Sequence, residues 1–190
     1  TQVSAVEGRS MLMLTWGRRD GDPQNTALYS DFTAMQERLN EGYLAYATQA
    51  ETVDNPIYIA PVGPVFAYVY EADSTLFSRL YGNDGSHPSQ LGTTVASLAM
   101  AASLTGRSVQ RVDHGLEDAD ASILIEAVEN VVLENAVETY PLPWVWTMVP
   151  EDGQIVHETM RPLLVIDSAQ SVDMDIDIVD GRVWLQSGRL

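Results

Sequence analysis

The feature that most constrains this fold is the order in which its apolar patterns change along the N-terminal half. The run MLMLT (11–15) is apolar without alternation, as in strands buried on both faces of a parallel sheet. It ends in the loop WGRRDGDPQN, Trp16–Asn25. From Ser30 to Ala50 the residues Phe32, Met35, Leu39, Tyr43 and Tyr46 recur every three or four positions. That spacing predicts an amphipathic helix capped by Ser30 or Asp31. NPIYIAPVGP (55–64) reads as a second buried strand, stopped by Pro61 and Gly63. Residues 65–81 read as short helix. From Pro88 to Thr105, Leu91, Val95, Leu98, Ala99 and Ala102 form an apolar stripe. Pro88 suits a first helical turn, and Gly106 stands where a helix C-terminal glycine belongs.

Strand, helix, strand, helix is the pattern of an α/β fold with a parallel sheet. Ligands of such sheets bind at the carboxyl ends of the strands. Three loops should open there: Trp16–Asn25, Pro61–Val65 and Gly82–His87. Beyond Gly106 the pattern changes. EDADASILIEAVENVVLENAVE (117–138) predicts an acidic amphipathic helix burying Ile123, Ala127, Val131 and Leu133. Pro141 and Pro143 make YPLPWVWTMVP (140–150) a linker or edge segment. In SVDMDIDIVDGRVWLQ, Val172, Met174, Ile176 and Ile178 alternate with Asp173, Asp175 and Asp177, and Asp180-Gly181 is a hairpin turn signal. The expected organisation is an α/β region over 1–112, an acidic helix over 113–139 and a small antiparallel β appendage over 140–190.

Charge and composition narrow the function. The 190 residues carry 27 acidic and 10 basic side chains, a net charge of −17. This argues against nucleic acid and anionic membrane surfaces, which need a cationic footprint. Every base is Arg, a choice that a GC-rich genome accounts for. The acidity suits salty or extracellular surroundings, and a secreted or periplasmic location is expected. No apolar run reaches the roughly 18–20 residues of a membrane span, and no signal peptide is visible. Thr1, not Met, opens the chain, which leads to the expectation of residues removed upstream. With no Cys, disulfides, thiolate nucleophiles and Cys-based metal sites are excluded. His87, His114 and His157 are too widely spaced for a metal signature, so no metal site is expected. The acids at 173, 175 and 177 do not begin a calcium loop either. Such a loop needs Gly at its sixth position and Glu at its twelfth, where Ile178 and Trp184 stand.

The stretch LYGNDGSHPSQLG (80–92) brings Asp84 and His87 within three residues of one another. In an Asp-x-x-His turn the carboxylate can accept the imidazole Nδ1–H, leaving Nε2 free to take a proton. A nearby helix N-terminus would disfavour the imidazolium and help keep the base neutral. The same residues also suit an ordinary helix start, since Asp, Gly, Ser and Pro are capping and turn residues. Both readings stand on spacing alone.

DGSHPSQLGTTVASLAMAASLTGRS resembles the last sequence block of the SGNH (GDSL-type) hydrolase superfamily. The preceding MLMLTWGRRDGD, YSDFTAMQERLNEGYLAYA and IYIAPVGPVF are similar to the strand, helix and strand leading into that block, particularly in bacterial members. The resemblance covers residues 8–108. It implies a three-layer α/β/α, flavodoxin-like sheet, seen here as its C-terminal half. It also implies a Ser-His-Asp triad in which Asp84 orients His87 and His87 is the base. The family's Gly-Asp-Ser nucleophile block and its oxyanion-hole Gly and Asn precede the strand matched by 11–15, so the nucleophile is expected outside this chain. A second chain or an N-terminal segment would then complete the sheet beside 11–15.

Within the chain, LLVIDSAQS (163–171) offers Asp167-Ser168 after an apolar strand, and Ser168 is the internal candidate nucleophile. It lacks the preceding Gly, and a hairpin follows in place of a helix. Trp16 and Arg18 are candidate substrate-binding residues; alternatively Trp16 packs over the sheet edge and Arg18 is solvated. His114 and His157 read as surface or turn residues. The resemblance implies a serine esterase acting on a small ester or acetylated carbohydrate, with no metal or organic cofactor. The other expectation is a non-catalytic, hydrolase-like structural or binding module of an acidic extracellular assembly.

Overall fold

The computed structural model of the chain describes residues 8–52, 55–135, 139–143, 148–151, 154–157, 174–179 and 182–187. Strand β1 (Ser10–Met13) pairs in parallel with β2 (Ile57–Ala60), in the register Ser10↔Ile57 through Met13↔Ala60. Leu14 extends the ladder by donating its N–H to the Ala60 carbonyl at 3.0 Å. Parallel neighbours need a long crossover, and helix α1 (Phe32–Ala50) supplies it. Asp31 caps that helix, its carboxylate accepting the Ala34 N–H at 2.8 Å. The result is a mixed α/β fold on a two-stranded parallel sheet.

Both faces of this sheet are packed, which is why neither strand alternates in polarity. Leu12, Leu14, Ile57 and Ile59 meet Leu39, Tyr43, Leu44 and Ala47 of α1, with Tyr140 and Leu142 closing the cluster. Met11 and Ala60 belong to a larger cluster. Its helices are α2 (Val62–Ala72), α3 (Ser74–Arg79), α4 (Gln90–Thr105) and α5 (Asp118–Val128). The far edge of β2 is covered as the prolines of 140–143 suggest. Pro141, which has no N–H of its own, accepts the Ile59 N–H at 2.9 Å.

Several boundaries differ from the sequence pattern. Pro61–Val65 is not a loop: α2 begins at Val62, directly after β2. The single helix expected over 65–81 is broken at Asp73. The Asp73 carboxylate accepts the Thr75 and Leu76 N–H groups at 2.8 and 2.9 Å and starts α3. Ser89, not Pro88, begins α4; its hydroxyl accepts the Gly92 N–H, and Pro88 bridges back to Tyr81. Gly106 ends α4 in the left-handed conformation, φ 64°.

The buried stripe of α5 also sits one residue away from expectation, with Leu124, Ala127, Val128 and Val132 inside and Ile123, Val131 and Leu133 half-buried. The cause is Asp120. It is 8% exposed, and its bidentate pair with Arg79 of α3 at 2.7 and 2.6 Å turns that line of the helix inward. After Val128 the helix widens into a π-helical segment, Glu129–Asn135. These helices share one core with α2 and α4, so the acidic helix packs into the α/β region.

Two antiparallel hairpins follow: β3 (Met148–Glu151) with β4 (Gln154–His157), and β5 (Met174–Val179) with β6 (Arg182–Ser187). Val179 pairs with Arg182, the register of a two-residue connection. Asp180, Gly181 and Asp173 lie outside the described residues. Among the described residues no helix is long and apolar enough to cross a membrane.

Candidate functional site

The loop between α3 and α4 is closed at its base before any long-range contact is counted. Ser89 donates its N–H to the Leu80 carbonyl and Gly82 donates to the His87 carbonyl, each at 2.8 Å. At its tip the chain reverses through Gly85, whose φ of +64° is a region that side chains with a Cβ enter at a cost. Asp84 organises the reversal. Its Oδ1 accepts the N–H groups of Ser86 and His87, both at 2.9 Å.

The other oxygen meets the imidazole: His87 Nδ1 lies 2.6 Å from Asp84 Oδ2. The hydrogen bond from His87, with help from the two backbone N–H groups, holds the Asp84 carboxyl well below the usual carboxylate range. An ionised carboxylate only accepts, so Nδ1 carries the hydrogen. In the neutral ring Nε2 is then bare and basic. The His87 side chain is 83% exposed and that of Asp84 53%, so Nε2 is open to solvent. Among the described residues no hydroxyl is hydrogen-bonded to it. The helix-dipole contribution expected for His87 is weakened, because the α4 cap lies at Ser89 and not at His87 itself.

The loop following β1 is tied to this one at three points. The Trp16 indole N–H donates to the Ser86 carbonyl at 3.1 Å. Arg19 donates its backbone N–H to the Gly85 carbonyl at 2.8 Å. The Tyr81 hydroxyl donates to the Gly17 carbonyl at 2.7 Å. The segments Trp16–Asn25 and Gly82–His87 therefore meet at the carboxyl end of β1. Burial pushes the Tyr81 phenol far above its ordinary range, so its hydroxyl remains a donor.

Trp16 stacks on Phe66 with ring centroids 4.8 Å apart and the planes 10° from parallel. Its indole thus braces the His87 loop from beneath. The Arg18 guanidinium binds Asp22 at 2.9 Å and is 43% exposed. His114 is a turn residue: its Nδ1 accepts the Leu116 N–H at 3.0 Å. An open groove of about 550 Å³ runs along α4 between Thr93, Thr94, Ser97 and the segment Val112–His114, but neither Asp84 nor His87 lines it. Ser168 lies outside the described residues, as do the side chains of β4, His157 included. Among the described residues no group of three or more acidic or His side chains could hold a metal ion.

What sequence reasoning missed is the framework behind the pair: Tyr81, Gly85 and the buried Gln36. The glycine in an Asp-Gly pair is a turn signal that could have pointed to the reversal. Nothing local marks Tyr81 or Gln36, whose partners are distant in sequence. No protein-family model, curated protein or solved structure matches the chain.

Proposed function

We propose that Asp84 and His87 are the acid–base half of an SGNH-type serine ester hydrolase acting on a small ester or an acetylated carbohydrate. The nucleophilic serine lies outside this chain. One observation carries the reading: an imidazole held through Nδ1 by an ionised carboxylate at 2.6 Å, with Nε2 free and open. In this reading the two-stranded sheet is the C-terminal part of a three-layer, flavodoxin-like arrangement. Apolar packing on both sheet faces supports that view.

The serine oxygen attacks the ester carbonyl while His87 Nε2 takes its proton; Asp84 stabilises the resulting imidazolium. That proton then passes to the departing alkoxide, releasing the alcohol and leaving an acyl-serine. Water, deprotonated by the same Nε2, attacks the acyl-serine; the acid is released as the proton passes from Nε2 to the departing serine oxygen. Donors such as backbone N–H groups would hold the oxyanion.

The test uses the polypeptide as its host makes it, with any chain that accompanies it. Hydrolysis of p-nitrophenyl acetate should fall about 10²–10⁴-fold in His87→Ala. Equal rates would remove His87 from the mechanism. A fluorophosphonate label should land on a serine outside residues 1–190; labelling of Ser168 would move the nucleophile into this chain.

The second reading is a non-catalytic module. It is favoured by the complete structural role that Asp84 Oδ1 already has in closing the turn. Under that reading Asp84→Ala loosens the loop, while His87→Ala changes nothing measurable.

A further inference from the structure

Gln36 is 3% exposed on α1, an uncommon place for a primary amide. Its Oε1 accepts the Gly17 N–H at 2.8 Å. Its Nε2 donates to Asn40 Oδ1 at 2.9 Å and reaches the Thr15 carbonyl at 3.4 Å. Both polar atoms of the amide therefore have partners, and two of the three partners belong to the turn that leaves β1. The opposite wall of that turn is equally close. A Cβ added at Gly63 would lie 2.2 Å from the Thr15 oxygen and 2.3 Å from Gln36 Nε2. Gly63 also donates its N–H to the Leu14 carbonyl at 2.8 Å. The turn Leu14–Gly17 is thus clasped between α1 and the first turn of α2.

This clasped turn is the one that holds the His87 loop. Trp16 and Gly17 of the turn bond to Ser86 and Tyr81, and Arg19, two residues on, bonds to Gly85. A hydrophobic side chain would fill the Gln36 site at lower desolvation cost. What it could not do is hold the Gly17 N–H and the Thr15 carbonyl at fixed positions. Fully satisfied buried networks of this kind specify one geometry.

We infer that Gln36 is a positioning residue. Through the Thr15–Gly17 turn it sets the loop on which Asp84 and His87 meet, although it touches neither. As a contribution to catalysis this rests on the hydrolase reading; as a statement about the His87 ring it does not.

The two are separated by measuring the ring directly. In the full chain, in mildly alkaline buffer, the ring nitrogens of His87 should give the 15N NMR signal of the Nδ1-protonated tautomer. In Gln36→Leu that signal should broaden or vanish while the helical circular dichroism is retained, and hydrolysis should fall about tenfold or more with KM little changed. Asn40→Ala, at a half-buried position, frees one donor of the same amide and should shift the signal less, in the same direction. It decides the matter should Gln36→Leu not fold. An unchanged His87 signal in the folded variants overturns the inference. A changed signal, alongside hydrolysis indifferent to His87→Ala, leaves the positioning role standing and removes the hydrolase.

Discussion

Arg79 and Asp84 begin two acid–base pairs on one short stretch of chain. Arg79 reaches 41 residues away to Asp120, which is almost wholly buried, and binds it through two parallel hydrogen bonds. Asp84 reaches three residues to His87 and leaves the ring in solvent. The first pair joins α3 to α5 and engages both oxygens of Asp120, the buried partner. The second makes no long-range contact of its own, yet its basic nitrogen is unoccupied. Geometry of the remaining lone pairs, more than the strength of the pair, separates a staple from a reactive group.

That contrast can be broken most sharply at Asp84. Asp84→Asn keeps a carbonyl oxygen for the Ser86 and His87 N–H groups but loses the carboxylate that orients the ring. Ester hydrolysis should fall about 10²–10⁴-fold, with the melting temperature nearly unchanged; a large loss of stability would show that the pair is a staple after all. Asp120→Ala should do the reverse. Thermal unfolding should drop by about 2–5 °C, with the hydrolytic rate held, and an equal loss of rate would erase the distinction.

Trp16→Phe keeps the stack on Phe66 and removes only the hydrogen bond to Ser86. A rate loss of about three- to tenfold is expected, the worth of one such bond; no loss would free Trp16 from the bracing role. The smallest effect concerns pH. A carboxyl whose folded-state titration lies below its unfolded value stabilises above the unfolded pKa, about 3.9 for Asp. That contribution fades as pH falls toward the lower folded value. The carboxyl carbon of Asp84 should therefore show its own protonation step only below about pH 4. A protonation step of that carboxyl at higher pH would show that it is not held as described.

The same division runs through what could be read in advance. Strands 11–15 and 55–64, the helix capped by Asp31 and the helix ended by Gly106 rest on apolar period and capping, which act within a turn or two. Their observed counterparts are β1, β2, α1 and α4. The interruption at Asp73 was missed because a capping aspartate inside an apolar pattern competes with the helix it interrupts. The shifted stripe of α5 was missed because it answers to Arg79, far off in sequence.

The sequence alone determined that Asp84 and His87 could meet. An Asp-x-x-His turn with a glycine at its tip brings the carboxylate to the ring through bonds no longer than the turn itself. Only the tertiary structure decided what stands behind them. Trp16 under Ser86, Tyr81 on Gly17 and Gln36 in the β1 turn join residues 70, 64 and 19 positions apart. Such bonds form only after the sheet and its helices have packed. A buried polar group then takes whichever partner the packed core leaves beside it, because leaving it without one costs more than the bond returns.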